Sequence, residues 1–290
     1  MADLILPAMS SDGLTAPFPF SHYESILQGL LDRGDVEFVT YDDFDWEDDY
    51  DYKNAYPGEW VRWRQSLANQ TRDPKKVYVL IQHDSDSGPQ ATMEMAALEA
   101  KLGVRSSLMV FNKWRGASES GVVSPYPLDW DFMRSLKEAG FTVGYHCNAL
   151  HNANYDVSRV YEEFLLDCQS FDEKMGNTRF FSPHGGKADP DGKVNASFEY
   201  PDETGTKLRW VHNRFSVKFN GYYSDGGLVT RLIKGDPLID LEAWSKTLVP
   251  GRRYRALVHP QYYSNAGFRP IAKATIEWYT AMCEQHLATR

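Results

Sequence analysis

Residues Val79–Pro89 read VLIQHDSDSGP, a run of strand-forming residues that ends in a histidine and two carboxylates before a glycine and a proline. A strand leaving the core needs one polar residue and a turn, so His83, Asp84 and Asp86 exceed what termination requires. Asp84 and Asp86 stand at i and i+2, and in an extended chain they project to the same side, where one can hold a cation while the other acts as a base.

Outward from this stretch the chain alternates. GPQATMEMAALEAKLG follows as a helix, with Met95, Leu98 and Leu102 on one stripe and Gly103 as its stop. VRSSLMVF reads as a strand, PLDWDFMRSLKEAG as a helix and FTVGYHC as a strand. A long helix is expected over DVSRVYEEFLLDCQSFDEKMG, with Asp156 at its N-cap and Val160, Phe164, Cys168, Phe171 and Met175 inward. TRFFSP, LRWVHN and RYRALVHP are further strands, and DLEAWSKTLV and the C-terminal PIAKATIEWYTAMCEQHLATR further helices. Alternation of this kind predicts an α/β fold with a mainly parallel sheet, open or closed as a barrel. Residues 1–76 differ in texture and are expected to pack on that domain as an extension, the domain itself running over 77–290; Tyr41–Tyr52 (YDDFDWEDDYDY) reads as a solvated acidic loop.

The net charge of −9 and a pI near 5.4 exclude a phosphate-backbone binder, so nucleic acid is not an expected partner. Three cysteines without a CxxC spacing imply neither a disulfide framework nor a cysteine-rich zinc site. No apolar segment reaches the roughly 18 residues of a membrane span, and the N-terminus lacks the basic start and long apolar run of a signal peptide, so a cytoplasmic location is expected.

In parallel α/β folds the functional groups sit at the C-terminal ends of strands. Here four such ends are polar: QHDSD, GYHCNALH, SPHGG and LVHP. His146 and His151 are five apart, roughly 140° around a helix, so only a loop could bring them to one ion. Two neutral imidazoles and a carboxylate make an open three-ligand set suited to a catalytic divalent ion. His184 precedes two glycines that permit close backbone approach, and His259 ends its strand before Pro260. Cys147 reads as a small buried thiol rather than a nucleophile paired with His151.

The order HDSD, AALEAKLGVRSSLMVF, GYHCNALH, SPHGG, YYSDGG and ALVHPQYY, over residues 77–265, resembles the NodB-like polysaccharide deacetylase superfamily, carbohydrate esterase family 4 and its relatives, in the branch that writes HDxD. The resemblance implies a distorted (β/α) barrel and hydrolysis of an N- or O-acetylated sugar or glycan precursor by a bound divalent ion, Zn2+ first, with Co2+, Ni2+, Mn2+ or Fe2+ as alternatives. It implies Asp84 as general base, His259 as general acid, and Asp86, His146 and His151 as metal ligands. Ser182, His184, Gly185, Tyr223 and Asp225 are implied at the substrate. The chain departs from the family in two places. Leu150 occupies the position that would give the usual spacing of four between the metal histidines, and Ser182 replaces an arginine that tethers the catalytic carboxylate; Arg214 is one possible substitute. The departures keep two other readings open, a hydrolase of a non-sugar C–N bond on the same scaffold and an inactive metal- or glycan-binding relative.

Overall fold

The computed structural model describes residues 18–43, 73–86, 88–115, 123–176, 178, 180–186, 188–198, 200, 209–210, 219–228 and 240–264. Their strands are β1 (Phe18–Pro19), β2 (Val36–Val39), β3 (Val77–Ser85), β4 (Ser107–Val110), β5 (Lys113–Arg115), β6 (Val123–Pro125), β7 (Thr142–Cys147), β8 (Phe180–Pro183), β9 (Arg209–Trp210), β10 (Gly221–Ser224), β11 (Arg252–Val258) and β12 (Tyr263–Ser264). The helices are α1 (Phe20–Asp32), α2 (Pro89–Leu102), α3 (Trp130–Glu138), α4 (Ala149–Asn152), α5 (Val160–Met175) and α6 (Leu241–Ser245).

Eight strands form one sheet in the order β10-β11-β3-β4-β7-β8-β9, with β2 also on β3, and every pair in it is parallel. The sheet curls into a half-barrel, the α/β architecture expected from the alternation. β3, the strand of the opening stretch, is buried along its whole length. β11 pairs with it from Val77 to His83, so its other edge is shared: β2 takes Val77–Leu80 and β4 takes Gln82–Ser85. Residues 18–43 thus supply a strand to the sheet's middle, and α1 buries Tyr23, Ile26, Leu27 and Leu30 in the same core as Val77, Val79 and Ile81.

Strand alternation divides the interior. One helix-facing cluster joins β3 and β11 to α1, α2 and α6. A second joins β4, β7 and β8 to α3 and α5. On the opposite, concave face lie Val39, Tyr41, Tyr78, Leu80, Met109, Phe180 and Phe219. Each large apolar side chain buried this way contributes about 1.5–3 kcal/mol.

Local chemistry sets the helix ends. Gly103 closes α2 at φ 74°, a left-handed conformation that glycine adopts without penalty. Asp156 caps a short 3-10 turn, Val157–Arg159, by accepting from the Ser158 N–H, and the regular helix starts only at Val160; from there the expected inward stripe of Val160, Phe164, Cys168, Phe171 and Met175 is buried. No helix among the described residues is long and apolar enough to cross a membrane. The expected C-terminal helix and most of the acidic run Tyr41–Tyr52 lie outside the described residues, as does Arg214.

Candidate metal centre

The four polar strand ends meet. Asp84 is the penultimate residue of β3, and Asp86, just past the strand's end, donates its N–H to the Asp84 carbonyl at 3.2 Å. The buried Tyr126 hydroxyl donates to the Ser85 and Asp86 carbonyls, both at 3.0 Å, and fixes that end from below. β7 ends in His146 and Cys147, opposite Ser182 and Pro183 of β8, so register alone sets His184 beside His146. His259 follows β11 at the level where Val258 pairs with His83.

Asp86 is the hub. Its Oδ1 lies 3.0 Å from His146 Nε2 and 3.5 Å from His184 Nε2. Its Oδ2 accepts from Gln261 Nε2 at 3.1 Å and lies 3.6 Å from His259 Nε2. Among the described residues, Asp86, His146 and His184 form the group whose ligand atoms all lie within 4.8 Å of one another.

The second nitrogen of each imidazole decides what the first can do. His146 Nδ1 donates to the Ser182 carbonyl at 3.0 Å, and His184 Nδ1 donates to Asn148 Oδ1 at 3.0 Å. Both rings therefore turn Nε2 toward Asp86, the arrangement by which outer partners orient metal-bound histidines. Phe111 stacks on His146 at 4.9 Å and meets His184 edge-on at 5.2 Å, fixing both rings from one side.

Burial, with His146 and His259 adding to it, outweighs the pull of the Asp86 and Asp84 carboxylates and brings His184 down to about 4, so it is neutral at neutral pH and its lone pair is free. Burial pushes the Asp86 carboxyl up, but the histidines outweigh it and hold the group well below the usual carboxylate range; with His184 neutral, His146 and His259 do this. His146 is raised, because Asp84 and Asp86 outweigh its burial. The donor set fits a divalent ion: an ionised carboxylate, two Nε2 atoms with their tautomers fixed, and beside them a buried Gln261 Oε1 with no hydrogen-bond partner among the described residues.

Among the described residues no lysine or arginine lies within ion-pairing distance of Asp84. Gln82 Nε2 donates to its Oδ1 at 2.6 Å, and Gln82 Oε1 accepts from the Tyr41 hydroxyl at 2.5 Å. Ser182 Oγ adds a longer contact at 3.4 Å, and Asp84 Oδ2 lies 4.0 Å from His146 Nε2. A flipped Gln82 would set its oxygen against the carboxylate, so ionised Asp84 fixes the amide's orientation.

His259 forms a dyad with Asp225. Its Nδ1–H donates to Asp225 Oδ1 at 2.5 Å, and its backbone N–H donates to the other carboxylate oxygen at 2.9 Å. Burial lowers the imidazole, but Asp225 and then Asp86 and Asp84 raise it to about 10. The ring is cationic at neutral pH and turns an Nε2–H into the site.

Three residues singled out from the sequence lie elsewhere. His151, on α4, stands behind His184 with the two rings 5.6 Å apart, and is outside the Asp86 group. Gly186, at φ 46°, passes so close over His151 that a Cβ there would collide with its ring. Tyr223 faces the helices, packed on Trp244 at 5.5 Å, while its neighbour Tyr222 takes the concave face. His83, by the same alternation, turns away from Asp84 to the buried Glu99 of α2, 2.8 Å away. Ser182, His184 and Asp225 are at the site; Gly185 is exposed beside it, and the His184 N–H is already committed to the Cys147 carbonyl. Tyr41, Gln82, Tyr126 and Gln261 escaped the sequence reading. For Gln82, the i, i+2 spacing to Asp84 was the available signal.

No family model and no curated protein matches the chain. Among solved structures it is similar to the chitin deacetylase from the fungal pathogen Colletotrichum lindemuthianum, at 14% identity, covering 74% of this chain and 84% of that one, with a TM-score of 0.38. It is similar to a Streptococcus mutans CE4 esterase at 15% identity, covering 79% and 85%, with a TM-score of 0.37. For a CE4 family pseudoenzyme from Bacillus anthracis the identity is 14% and the TM-score 0.33, covering 73% of this chain; the match spans 62% of that protein's length, and 64% of a mutant of it with restored activity. Likenesses this loose carry no argument about chemistry, which rests on the convergence of Asp84, Asp86, His146, His184 and His259.

Proposed function

We propose that the protein is a metal-dependent hydrolase that removes acetyl groups from an N- or O-acetylated sugar or glycan precursor. The observation that carries this reading is the meeting of one ionised carboxylate with two histidine Nε2 atoms, between a hydrogen-bonded carboxylate and a cationic imidazole. Asp86, His146 and His184 would hold the ion, Zn2+ first, with Co2+, Ni2+, Mn2+ or Fe2+ accepted by the same donors. A bound divalent ion supplies acidified water and a polarised carbonyl.

The chain's own groups do the rest. Asp84, oriented by Gln82, takes the proton of the attacking water through Oδ2. His259 gives its Nε2 proton to the departing nitrogen or oxygen, and Asp225 keeps that proton in place until then. The Gly185 N–H is the amide suited to the developing oxyanion, since that of His184 is spent. The bonds to Ser182 and Asn148 keep the two imidazoles from turning during the cycle.

Elemental analysis of the wild type beside Asp86→Ala, His146→Ala, His184→Ala and His151→Ala tests the ligand set. About one divalent ion per chain is expected, lost in the first three variants and kept in His151→Ala. Loss in His151→Ala with retention in His184→Ala would overturn the assignment, as would a wild type that cannot be loaded. Asp84→Asn is expected to keep the ion and lose turnover of acetylated chito-oligosaccharides, acetylxylan or p-nitrophenyl acetate; an ion-loaded wild type inactive on all three would refute deacetylation.

A further inference from the structure

β11 carries an arginine that no part of the proposed chemistry uses. Arg255 is 2% exposed. Tyr254, Ala256 and Val258 face the helices, so alternation turns Arg255 to the concave face, opposite Leu80 of β3. Its guanidinium lies over the Tyr222 ring, 5.3 Å from the centroid. Burial pushes the Tyr41 and Tyr222 hydroxyls up, while Arg255 pulls both down and Asp84 pushes both up, which places the two charges around one space.

Yet among the described residues Arg255 has no counter-ion. Among the described residues no carboxylate lies within ion-pairing distance of it, and its Nε is buried without a hydrogen-bond partner. Asp84 is held by Gln82 and Ser182, Asp225 by His259, and Asp86 by His146 and Gln261. A buried guanidinium left bare is strongly destabilising, and one aromatic face offsets only part of that. Its planar fork is shaped for two oxygens of one oxyanion.

We propose that Arg255 anchors an oxyanion subsite on the concave face below Asp84, and that the molecule bound there carries a carboxylate or a phosphate, as an acidic or phosphorylated sugar does. Tyr222 forms the subsite's floor. The proposal rests on the hydrolase reading only in taking this molecule to be the substrate; the binding itself requires no turnover.

The test is thermal unfolding of the full chain titrated with sodium phosphate and, separately, sodium glucuronate, at constant ionic strength with sodium chloride as control. A saturable rise in midpoint with at least one anion is expected, and it should persist in Asp86→Ala, where no ion remains to bind the anion. Phosphate alone would identify a phosphorylated ligand, glucuronate alone a carboxylated one. Arg255→Met should abolish the rise and, freed of a bare charge, unfold in chloride no earlier than the wild type. Arg255→Lys keeps the charge without the fork and should bind at least tenfold more weakly, which decides the matter should the Met variant fail to fold. No saturable rise with either anion, loss of the rise in Asp86→Ala, or an undiminished response in the Arg255 variants would overturn the subsite. Because the readout is binding, its failure leaves the hydrolase standing, and a chain without metal or turnover can still pass it.

Discussion

Replacing Gln82 by leucine isolates the part of the site that stands where a positive tether would be expected. In the wild type the Gln82 amide donates to Asp84 Oδ1 at 2.6 Å and accepts from Tyr41 at 2.5 Å, with Gln82 itself 1% exposed. Leucine removes a bond to an ionised group, worth about 1.5–3 kcal/mol, and leaves Asp84 with the 3.4 Å contact to Ser182. If that bond serves to aim the base, kcat falls roughly 10- to 100-fold. KM and metal content stay level, since Asp86, His146 and His184 are untouched. The change also removes the Gln82 acceptor of the Tyr41 hydroxyl, a lost hydrogen bond worth about 0.5–1.5 kcal/mol of stability, readable as an earlier urea midpoint. Tyr41→Phe should act in the same direction with a smaller loss, and the double variant should lose little beyond Gln82→Leu alone, because both changes break one chain of bonds. Initial rates on p-nitrophenyl acetate at matched metal content provide the assay. A Gln82→Leu enzyme within twofold of wild type would refute the aiming role, and additive losses in the double variant would separate Tyr41 from it.

Three further outcomes follow from the same geometry. Asp225→Asn removes the main charge that raises His259 to about 10, so the imidazole loses its proton at lower pH and the alkaline limb of kcat should move toward neutrality; an unmoved limb would assign the acid to another group. His83 is raised because Glu99 outweighs its burial, so its contribution to stability is fully present below the unfolded value of about 6.5 and fades as pH rises through the higher folded value. Urea unfolding across pH 6–9 should therefore show the wild type losing stability relative to His83→Gln, and a constant difference between the two would contradict the ionised pair. Gly186→Ala joins a positive φ to a collision with the His151 ring and should cost about 1–3 kcal/mol with weakened metal retention, both measurable by urea unfolding and dialysis.

The sequence carried the alternation of strands and helices and the four polar strand ends, because period and composition are local properties. It also carried Asp84, Asp86, His146 and His259 as one group, since all lie at or just beyond strand ends that the fold gathers. The choice between His151 and His184 was not local. It depends on the pairing of His146 with Ser182 across β7 and β8, which places His184 beside the first ring and leaves His151 on α4 behind it. Tyr222 and Tyr223 differ only in the parity of β10, which no neighbouring residue marks; on β11 that parity is legible, since Tyr254, Ala256 and Val258 are apolar around Arg255. Nor could residues 36–39 have been recognised as a partner of β3, because four residues with an acidic one among them make a weak strand signal.

That shared edge of β3 bears on the order in which the chain assembles. The Tyr41–Gln82 contact spans 41 positions, whereas the His83–Val258 contact spans 175. Closing the shorter loop sacrifices less chain entropy, so β2 can dock while β11 is still being synthesised. β3 would then wait on the ribosome with its β2–β4 edge covered and the other bare, and His259, which follows β11, would join the site late. The site stays incomplete until β11 is in place, and the bare edge during that interval is where a chaperone, or a second nascent chain, would find purchase.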